Sequence, residues 1–399
     1  MPRYPHVAPT LASMTASVFS ALGHRIASLR GEVYPLHIGD SWLAPPRGAW
    51  LQDFRQEERP GLNRYARPQG EPSLLDALSS TYGVAQERIL VTTGATGALD
   101  AIAGALLGPG DEVLLCAPFW PLIPGIVTEA RARPVEVDVL GQRHPEPESP
   151  AARAWMAERL DAAVTPRTAA LYVNSPHNPT GAVLTPAELA GVVDVARAHD
   201  LWIWSDAVYE HHAYARTYVS IATLAPERTF DVHSFSKAWS MAGYRCGFVI
   251  GPEDPAHSTA VRTIAMHTFY STPTAAQLAA TAALRGGASW MAECRATFRA
   301  AGDAAADRLG VVRPEGGTFL FLDVADHLDG DGLIGFLHRG LDRNLVLAPG
   351  TACGAAYRTH IRLCFTCVPP EVVARGVEVL AGLMGRPAGP PEGAGGPSV

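Results

Sequence analysis

His233-Ser-Phe-Ser-Lys-Ala-Trp-Ser-Met-Ala-Gly-Tyr-Arg-Cys-Gly247 contains the only lysine of the chain, Lys237, against 31 arginines in 399 residues. Arginine serves as a surface charge but stays protonated and is no nucleophile. A lysine can lose its proton and form an imine with an aldehyde. The segment follows a predicted strand, Phe230–His233. It places Ser234 and Ser236 before the lysine, and Gly243 and Arg245 after it. Hydroxyls and a guanidinium beside an imine-forming amine suit an aldehyde that carries a phosphate. Pyridoxal 5′-phosphate is such a molecule.

That cofactor makes further demands, and the chain offers a residue for each. A carboxylate should keep the ring nitrogen protonated. Asp206 ends the apolar run Leu201-Trp-Ile-Trp-Ser205, where a parallel sheet presents residues to a ligand. Tyr209 and Asn178 are candidate donors to the ring oxygen. Thr93-Gly-Ala-Thr-Gly97, between a strand and a helix, offers free backbone N–H groups to the phosphate. Pro118-Phe-Trp120 supplies an aromatic ring to stack on the cofactor. Arg362, on a late strand, suits the substrate carboxylate, a bidentate contact worth about 1.5–3 kcal/mol. Singly, each has a structural alternative. Asp206 could cap a helix, Trp120 could be core and Arg362 a surface ion pair. Their number and order carry the argument.

From about residue 90 to 250, short apolar runs alternate with helical stretches. Val113–Cys116, Ala169–Asn174, Leu201–Ser205, Phe230–His233 and Cys246–Ile250 read as strands, and Gly97–Leu107 and Pro186–His199 as helices. The alternation predicts an α/β fold: a large domain with a mostly parallel central sheet flanked by helices. Residues from about 285 to 385 read as a smaller α+β domain with strands Phe319–Val324 and His360–Phe365. Residues 10–30 space Leu11, Met14, Val18, Leu22, Ile26 and Leu29 as an amphipathic helix stopped by Gly31. The expected division is an N-terminal arm over 1–45 packed with the small domain, a large cofactor-binding domain over 46–284, the small domain over 285–385 and a disordered tail over 386–399.

A net charge of −7 argues against nucleic-acid or anionic-membrane partners, and no apolar run is long enough to span a membrane. Arg3 is followed by no unbroken apolar stretch, so no signal peptide is expected. Six cysteines, mostly within apolar runs, suit reduced thiols in a cytoplasm. Cys364-Phe-Thr-Cys367 lacks the second pair a zinc site needs, and no metal is expected. His211-His212 reads as structural, and Asp326-His-Leu-Asp-Gly-Asp-Gly332 as a turn.

The ordered motifs run nearly end to end. They are Ile38-Gly39, Tyr65 with Gly70, Thr93-Gly-Ala-Thr96, Pro109-Gly-Asp-Glu-Val113, Pro118-Phe-Trp120 and Asn174-Ser-Pro-His-Asn-Pro-Thr-Gly181. Ser205-Asp-Ala-Val-Tyr-Glu210, Ser234-Phe-Ser-Lys237 through Arg245, Pro314-Glu-Gly-Gly317, Pro349-Gly350 and Arg362 follow. With them the chain resembles a class I/II aminotransferase of fold type I, the aspartate-aminotransferase superfamily. The resemblance implies that Lys237 holds pyridoxal 5′-phosphate as a Schiff base and moves the proton, with Asp206 at the pyridinium. Asn178 and Tyr209 would contact the phenolate oxygen and Trp120 the ring face. Ala95, Thr96, Ser234, Ser236 and Arg245 would bind the phosphate, and Gly39, Asn178 and Arg362 the substrate. Tyr65 would reach the phosphate of a neighbouring subunit, which implies a homodimer with shared sites. Ala117-Pro118 and Asn178-Pro179 are candidate cis peptides.

The expected reaction moves an amino group between an L-amino acid and a 2-oxo acid. A β-lyase of the carbon–sulfur type shares every step up to proton removal, and the site residues do not separate the two. A cofactor-binding regulatory protein is a third reading. It would want a DNA-binding extension, and the roughly 35 residues before Ile38-Gly39 carry no basic cluster. Cys353 stands where an aromatic residue often follows Pro349-Gly350, and no second arginine is placed against a side-chain carboxylate. A neutral, aromatic or specialised amino acid is therefore expected over aspartate.

Overall fold

The computed structural model describes Thr10, Met14 and residues 22–387. Of the helix expected over 10–30 it contains Gly23–Ser28, with Gly31 at φ +79° beyond its end. Residues 11–13 and 15–21 of that segment lie outside the described residues. So does the expected tail, apart from Arg386 and Pro387.

Seven strands form one sheet: β1 (Ile89–Thr92), β2 (Glu112–Ala117), β3 (Arg133–Asp138), β4 (Thr168–Asn174), β5 (Trp202–Asp206), β6 (Thr229–Ser234) and β7 (Gly247–Ile250). Their order is β1-β7-β6-β5-β4-β2-β3. The pairs from β3 through β6 are parallel, and β7 runs antiparallel to both β6 and β1. Both faces are covered, which is why the central strands are continuous apolar runs rather than alternating ones. Val113 and Leu115 of β2 pack with Leu99 and Ile102 of helix Gly94–Leu106 and with Val261 of helix Pro255–Thr268. Leu114 and Cys116 point the other way, to Met156 and Leu160 of helix Pro150–Asp161 and Val192 of helix Pro186–Ala198. Each fully buried leucine of this kind contributes about 1.5–3 kcal/mol.

Sequence reading did not name β3. Its alternating, charged Arg-Pro-Val-Glu-Val-Asp is half exposed because it forms the sheet edge, where a proline costs no ladder bond. A smaller antiparallel sheet follows, with β8 (Phe319–Asp323), β9 (Ala348–Pro349) and β10 (His360–Cys364) in the order β8-β10-β9. Leu320 and Leu363 of this sheet share a core with Phe298 of helix Ala288–Leu309 and Val377 of helix Pro370–Leu383. Leu22 and Leu36 belong to the same core, so the chain from 22 to 36 packs on the small sheet, whereas Met14 lies near Gly125 of the large domain.

Candidate active site

The sheet register builds the site. Asn174 pairs with Asp206, Asp206 with Val232, and both Ser234 and Thr92 lie opposite Gly247. The carboxyl ends of β1, β4, β5 and β6 therefore open into one crevice, where a doubly wound sheet holds its ligand. Gly39, Ala95, Thr96, Trp120, Asn178, Asp206, Tyr209, Ser234, Ser236, Lys237, Arg245 and Arg362 line one pocket there. Tyr65 is not brought to it. It is 86% exposed and packs edge-on against Tyr270 at 5.0 Å.

Lys237 lies in a single helical turn, Phe235–Ala238, begun by Ser234, whose hydroxyl accepts the Ser236 backbone N–H. Its amine is buried and donates to the Gly39 carbonyl. Burial pulls its pKa below the ordinary lysine value, although the Asp40 carboxylate opposes this. His212, one of the paired histidines read as structural, lies 3.4 Å from the Lys237 carbonyl. Asp206 is also buried, and desolvation pushes its pKa up to about 6. The Tyr172 hydroxyl donates to it at 2.6 Å and restrains that rise. The Asp206 carbonyl accepts from the Asn174 side chain at 2.6 Å. Above pH 6 the pocket thus holds a carboxylate and an amine with an enlarged neutral fraction.

Donors gather on the opposite side. Helix Gly94–Leu106 begins at Thr93 with no side-chain cap, so its first N–H groups, near Ala95 and Thr96, face the pocket without intrahelical partners. Ser234, Ser236 and Arg245 complete the ring. The Arg245 guanidinium is held by the Ala242 carbonyl at 2.8 Å and the Thr93 carbonyl at 3.3 Å. Gly94 adopts φ +79°, and a Cβ there would come within 2.7 Å of the Arg245 guanidinium. The turn can approach the arginine only as glycine.

Arg362 arrives from the small sheet. Its guanidinium donates to the Asn178 side-chain oxygen at 2.9 Å and the His37 carbonyl at 3.1 Å, over the Phe319 ring at 4.3 Å. Its buried Nε has no hydrogen-bond partner among the described residues. A Cβ on Gly39 would sit 2.5 Å from the Phe319 ring, so the rim closes on Phe319 because residue 39 has no side chain. The Asn174 side chain accepts from the Asn178 N–H at 2.6 Å and shapes this loop. The peptides Ala117-Pro118, Ser175-Pro176 and Asn178-Pro179 are cis, the second of them unanticipated.

Sequence reasoning missed Tyr172, Asn174 and Phe319. Tyr172 and Asn174 share a face of β4 by the two-residue period, and only the β4–β5 register sets them beside Asp206. It also passed over a buried cluster behind the pocket. His233 lies 2.9 Å from Glu210 and 3.3 Å from Asp231, and stacks on Phe248 at 4.7 Å. Burial alone would lower the imidazole, but the two carboxylates outweigh it and push its pKa up to about 10. Glu210 also accepts from Tyr82 at 2.5 Å. The cluster ties Ser234 to the Tyr209–Glu210 turn. Cys364 and Cys367 are free thiols, with the Cys367 thiol donating to the Pro35 carbonyl at 3.3 Å.

The residues fit pyridoxal 5′-phosphate. The uncapped helix start with two serines and a guanidinium matches a phosphate, the buried Asp206 a ring nitrogen, and the buried amine an aldehyde. The comparisons agree. The profile described as aminotransferase class I and II matches residues 36–380. An aspartate/prephenate aminotransferase of Thermus thermophilus is 32% identical over 82% of this chain and 84% of its own. An arginine–pyruvate transaminase of Pseudomonas aeruginosa is 33% identical over 83% and 85%. The structure of Thermus thermophilus aspartate aminotransferase with maleate superposes with a TM-score of 0.84 at 29% identity, over 95% of this chain and 100% of that one.

Proposed function

The chain belongs to the pyridoxal-phosphate-dependent class I and II aminotransferases, and on that premise we propose that Lys237, Asp206 and Tyr209 are its catalytic residues. The observation that carries the assignment is the meeting of Lys237, Asp206 and the phosphate cradle in one pocket. Bound pyridoxal phosphate supplies an aldehyde that captures amines and a ring that withdraws electrons from the substrate α-carbon.

Lys237 would hold the aldehyde, and its amine is the group placed to move the proton at the substrate α-carbon. Its burial serves both tasks by enlarging the neutral fraction. Asp206, held by Tyr172, would pair with the ring nitrogen. Tyr209 and the Asn178 amide would donate to the ring oxygen, and Trp120 would lie against the ring. The N–H groups at Ala95 and Thr96, with Ser234, Ser236 and Arg245, would hold the phosphate. Arg362 binds the substrate carboxylate, which with Gly39 and Asn178 turns the α-hydrogen toward Lys237. It lies on the small sheet, whereas Lys237 follows β6 of the large one, so it links substrate binding to the small domain.

We further propose a cytoplasmic homodimer. The exposure of Tyr65 and its absence from its own chain's pocket support a role across a subunit interface. Six free thiols support a reducing compartment.

The test is half-reaction spectroscopy of the holoenzyme over an amino-acid panel. The expected result is accumulation of pyridoxamine phosphate and a 2-oxo acid. Pyruvate and ammonia with the cofactor unchanged would instead mean β-elimination. A protein that gains no imine absorption with added cofactor would overturn the reading. The relatives named for aspartate/prephenate and for arginine with pyruvate are almost equally similar, so they do not choose the amino acid.

A further inference from the structure

The fold treats the two carboxylate oxygens of Asp206 differently. The Tyr172 hydroxyl donates to Oδ2 at 2.6 Å. Oδ1 takes only a long contact, 3.5 Å, from the Val208 N–H. Asp206 lines the pocket, whereas Tyr172 stands outside its lining, 1% exposed, in the aromatic core with Trp204 and Phe230. The register fixes this arrangement. Tyr172 pairs with Trp204 and Asn174 with Asp206, so the phenol reaches the carboxylate from the neighbouring rung of β4. The Asn174 amide donates to the Asp206 carbonyl at 2.6 Å and pins the backbone. A buried carboxylate is costly unless its lone pairs are taken up. Tyr172 satisfies Oδ2 from within the core and leaves Oδ1 as the oxygen with capacity for a ligand.

The other titratable groups around Asp206 come from three directions. His233 of β6 and Lys237, in the turn after it, favour the ionised carboxylate through their charge. Tyr209 and Tyr218 follow β5, and Cys116 of β2 lies beside Tyr172. Burial raises the pKa of all three, so they are neutral near pH 7. Glu210 and Asp231 lie against His233, at 2.9 and 3.3 Å. Among these side chains, Tyr172 is the one whose hydrogen bond to the carboxylate fixes which oxygen is occupied.

We propose that Tyr172 is a positioning residue: by donating to Oδ2 it makes Asp206 a weaker base at Oδ1 and keeps the proton they share on the cofactor's ring nitrogen. The inference rests on the pyridoxal-phosphate reading and adds a residue to it. The step is one proton between two sites. On the nitrogen it leaves a pyridinium facing a carboxylate; on Oδ1 it leaves a neutral pyridine facing a carboxylic acid. A hydrogen bond from Tyr172 stabilises the carboxylate, and therefore the first arrangement. The protonated ring is the one that withdraws electrons most strongly from the substrate α-carbon. Lying outside the pocket lining, Tyr172 acts through Asp206.

Tyr172→Phe removes the hydroxyl and keeps the ring, and two readouts need no turnover. The probe is 4′-deoxypyridoxine 5′-phosphate, which has the ring nitrogen and the phosphate but no aldehyde. The first readout is the nitrogen NMR signal of the isotope-labelled probe bound to the cofactor-free protein at pH 8. Wild type should show the pyridinium signal, and the variant should move toward neutral pyridine. The second is calorimetric affinity against pH. Binding should weaken on acidification as Asp206 takes a proton of its own, and the midpoint should lie roughly one pH unit higher in the variant. An analogue with carbon in place of the ring nitrogen should lose no affinity in the variant, whereas a merely structural defect would weaken it too. In the holoenzyme kcat should fall roughly tenfold, with KM for the amino acid within about twofold of wild type. A neutral ring nitrogen in wild type, which needs no variant to observe, overturns the role of Tyr172. So does a signal and midpoint unmoved by the substitution, or equal weakening of probe and analogue. If wild type does not bind the probe at all, the cofactor reading itself fails and this proposal with it.

Discussion

Replacing His233 by glutamine removes the cation at the centre of the buried cluster that links Ser234 to the Tyr209–Glu210 turn. The imidazole lies 2.9 Å from Glu210 and 3.3 Å from Asp231, and all three side chains are shielded from water. Its pKa is held at about 10, against an ordinary value of 6.5. At about 1.4 kcal/mol per pKa unit, that difference sets a ceiling of about 5 kcal/mol on what charging His233 contributes to the fold. Stranding a buried carboxylate by removing its partner costs about 3–5 kcal/mol, the same interaction seen from the other side, so the figures are not added. The sign follows from the direction of the shift. A histidine whose pKa is raised on folding contributes fully below pH 6.5, and the contribution is lost as pH rises through about 10. Urea unfolding at pH 6, 8 and 10 should therefore show the His233→Gln variant well below wild type at pH 6, with the gap closing by pH 10. His233→Gln combined with Glu210→Gln should recover part of the loss, because it removes one stranded carboxylate while keeping an acceptor for Tyr82. A single variant within about 1 kcal/mol of wild type at pH 6, or a gap unchanged from pH 6 to 10, would refute the reasoning.

Three other substitutions probe the pocket directly. Lys237→Arg keeps the charge but cannot form an imine. With no other lysine in the chain to substitute, kcat should fall by a factor on the order of 10⁴ or more, and borohydride should trap no cofactor on the protein. Arg362→Lys loses the planar fork that reaches both Asn178 and the His37 carbonyl. Steady-state kinetics should show kcat/KM for the amino acid lowered by about 10–100-fold, with cofactor affinity by absorbance titration affected far less. Gly94→Ala places a Cβ at φ +79° against Arg245, a backbone cost of about 1–2 kcal/mol before any clash. Titration of the cofactor-free variant should show pyridoxal phosphate binding weakened by roughly tenfold, with inorganic phosphate weakened in parallel if the damage is confined to the cradle.

Much of this molecule is legible without coordinates because its signals are local. Strand and helix alternation reports which segments are buried on two faces and which on one. The solitary lysine, the serines before it and the glycine turn at Gly94 declare their chemistry within a few residues. What stayed hidden depends on which strand lies next to which. Tyr172 is an apolar-run tyrosine until the β4–β5 register sets its hydroxyl 2.6 Å from Asp206. His233 reads only as a departure before the serines until β6 and the turn after β5 bring Asp231 and Glu210 to its two ring nitrogens. β3 was passed over because an edge strand needs no continuous apolar run.

Fold class, cofactor and the candidate lysine were legible in the sequence, since periodicity and functional-group chemistry are properties of short segments. Tertiary packing alone brings Arg362 onto Asn178 across 184 residues and the Gly39 carbonyl to the Lys237 amine across 198. Such pairings are fixed by packing two sheets around a shared crevice, and no local propensity encodes them.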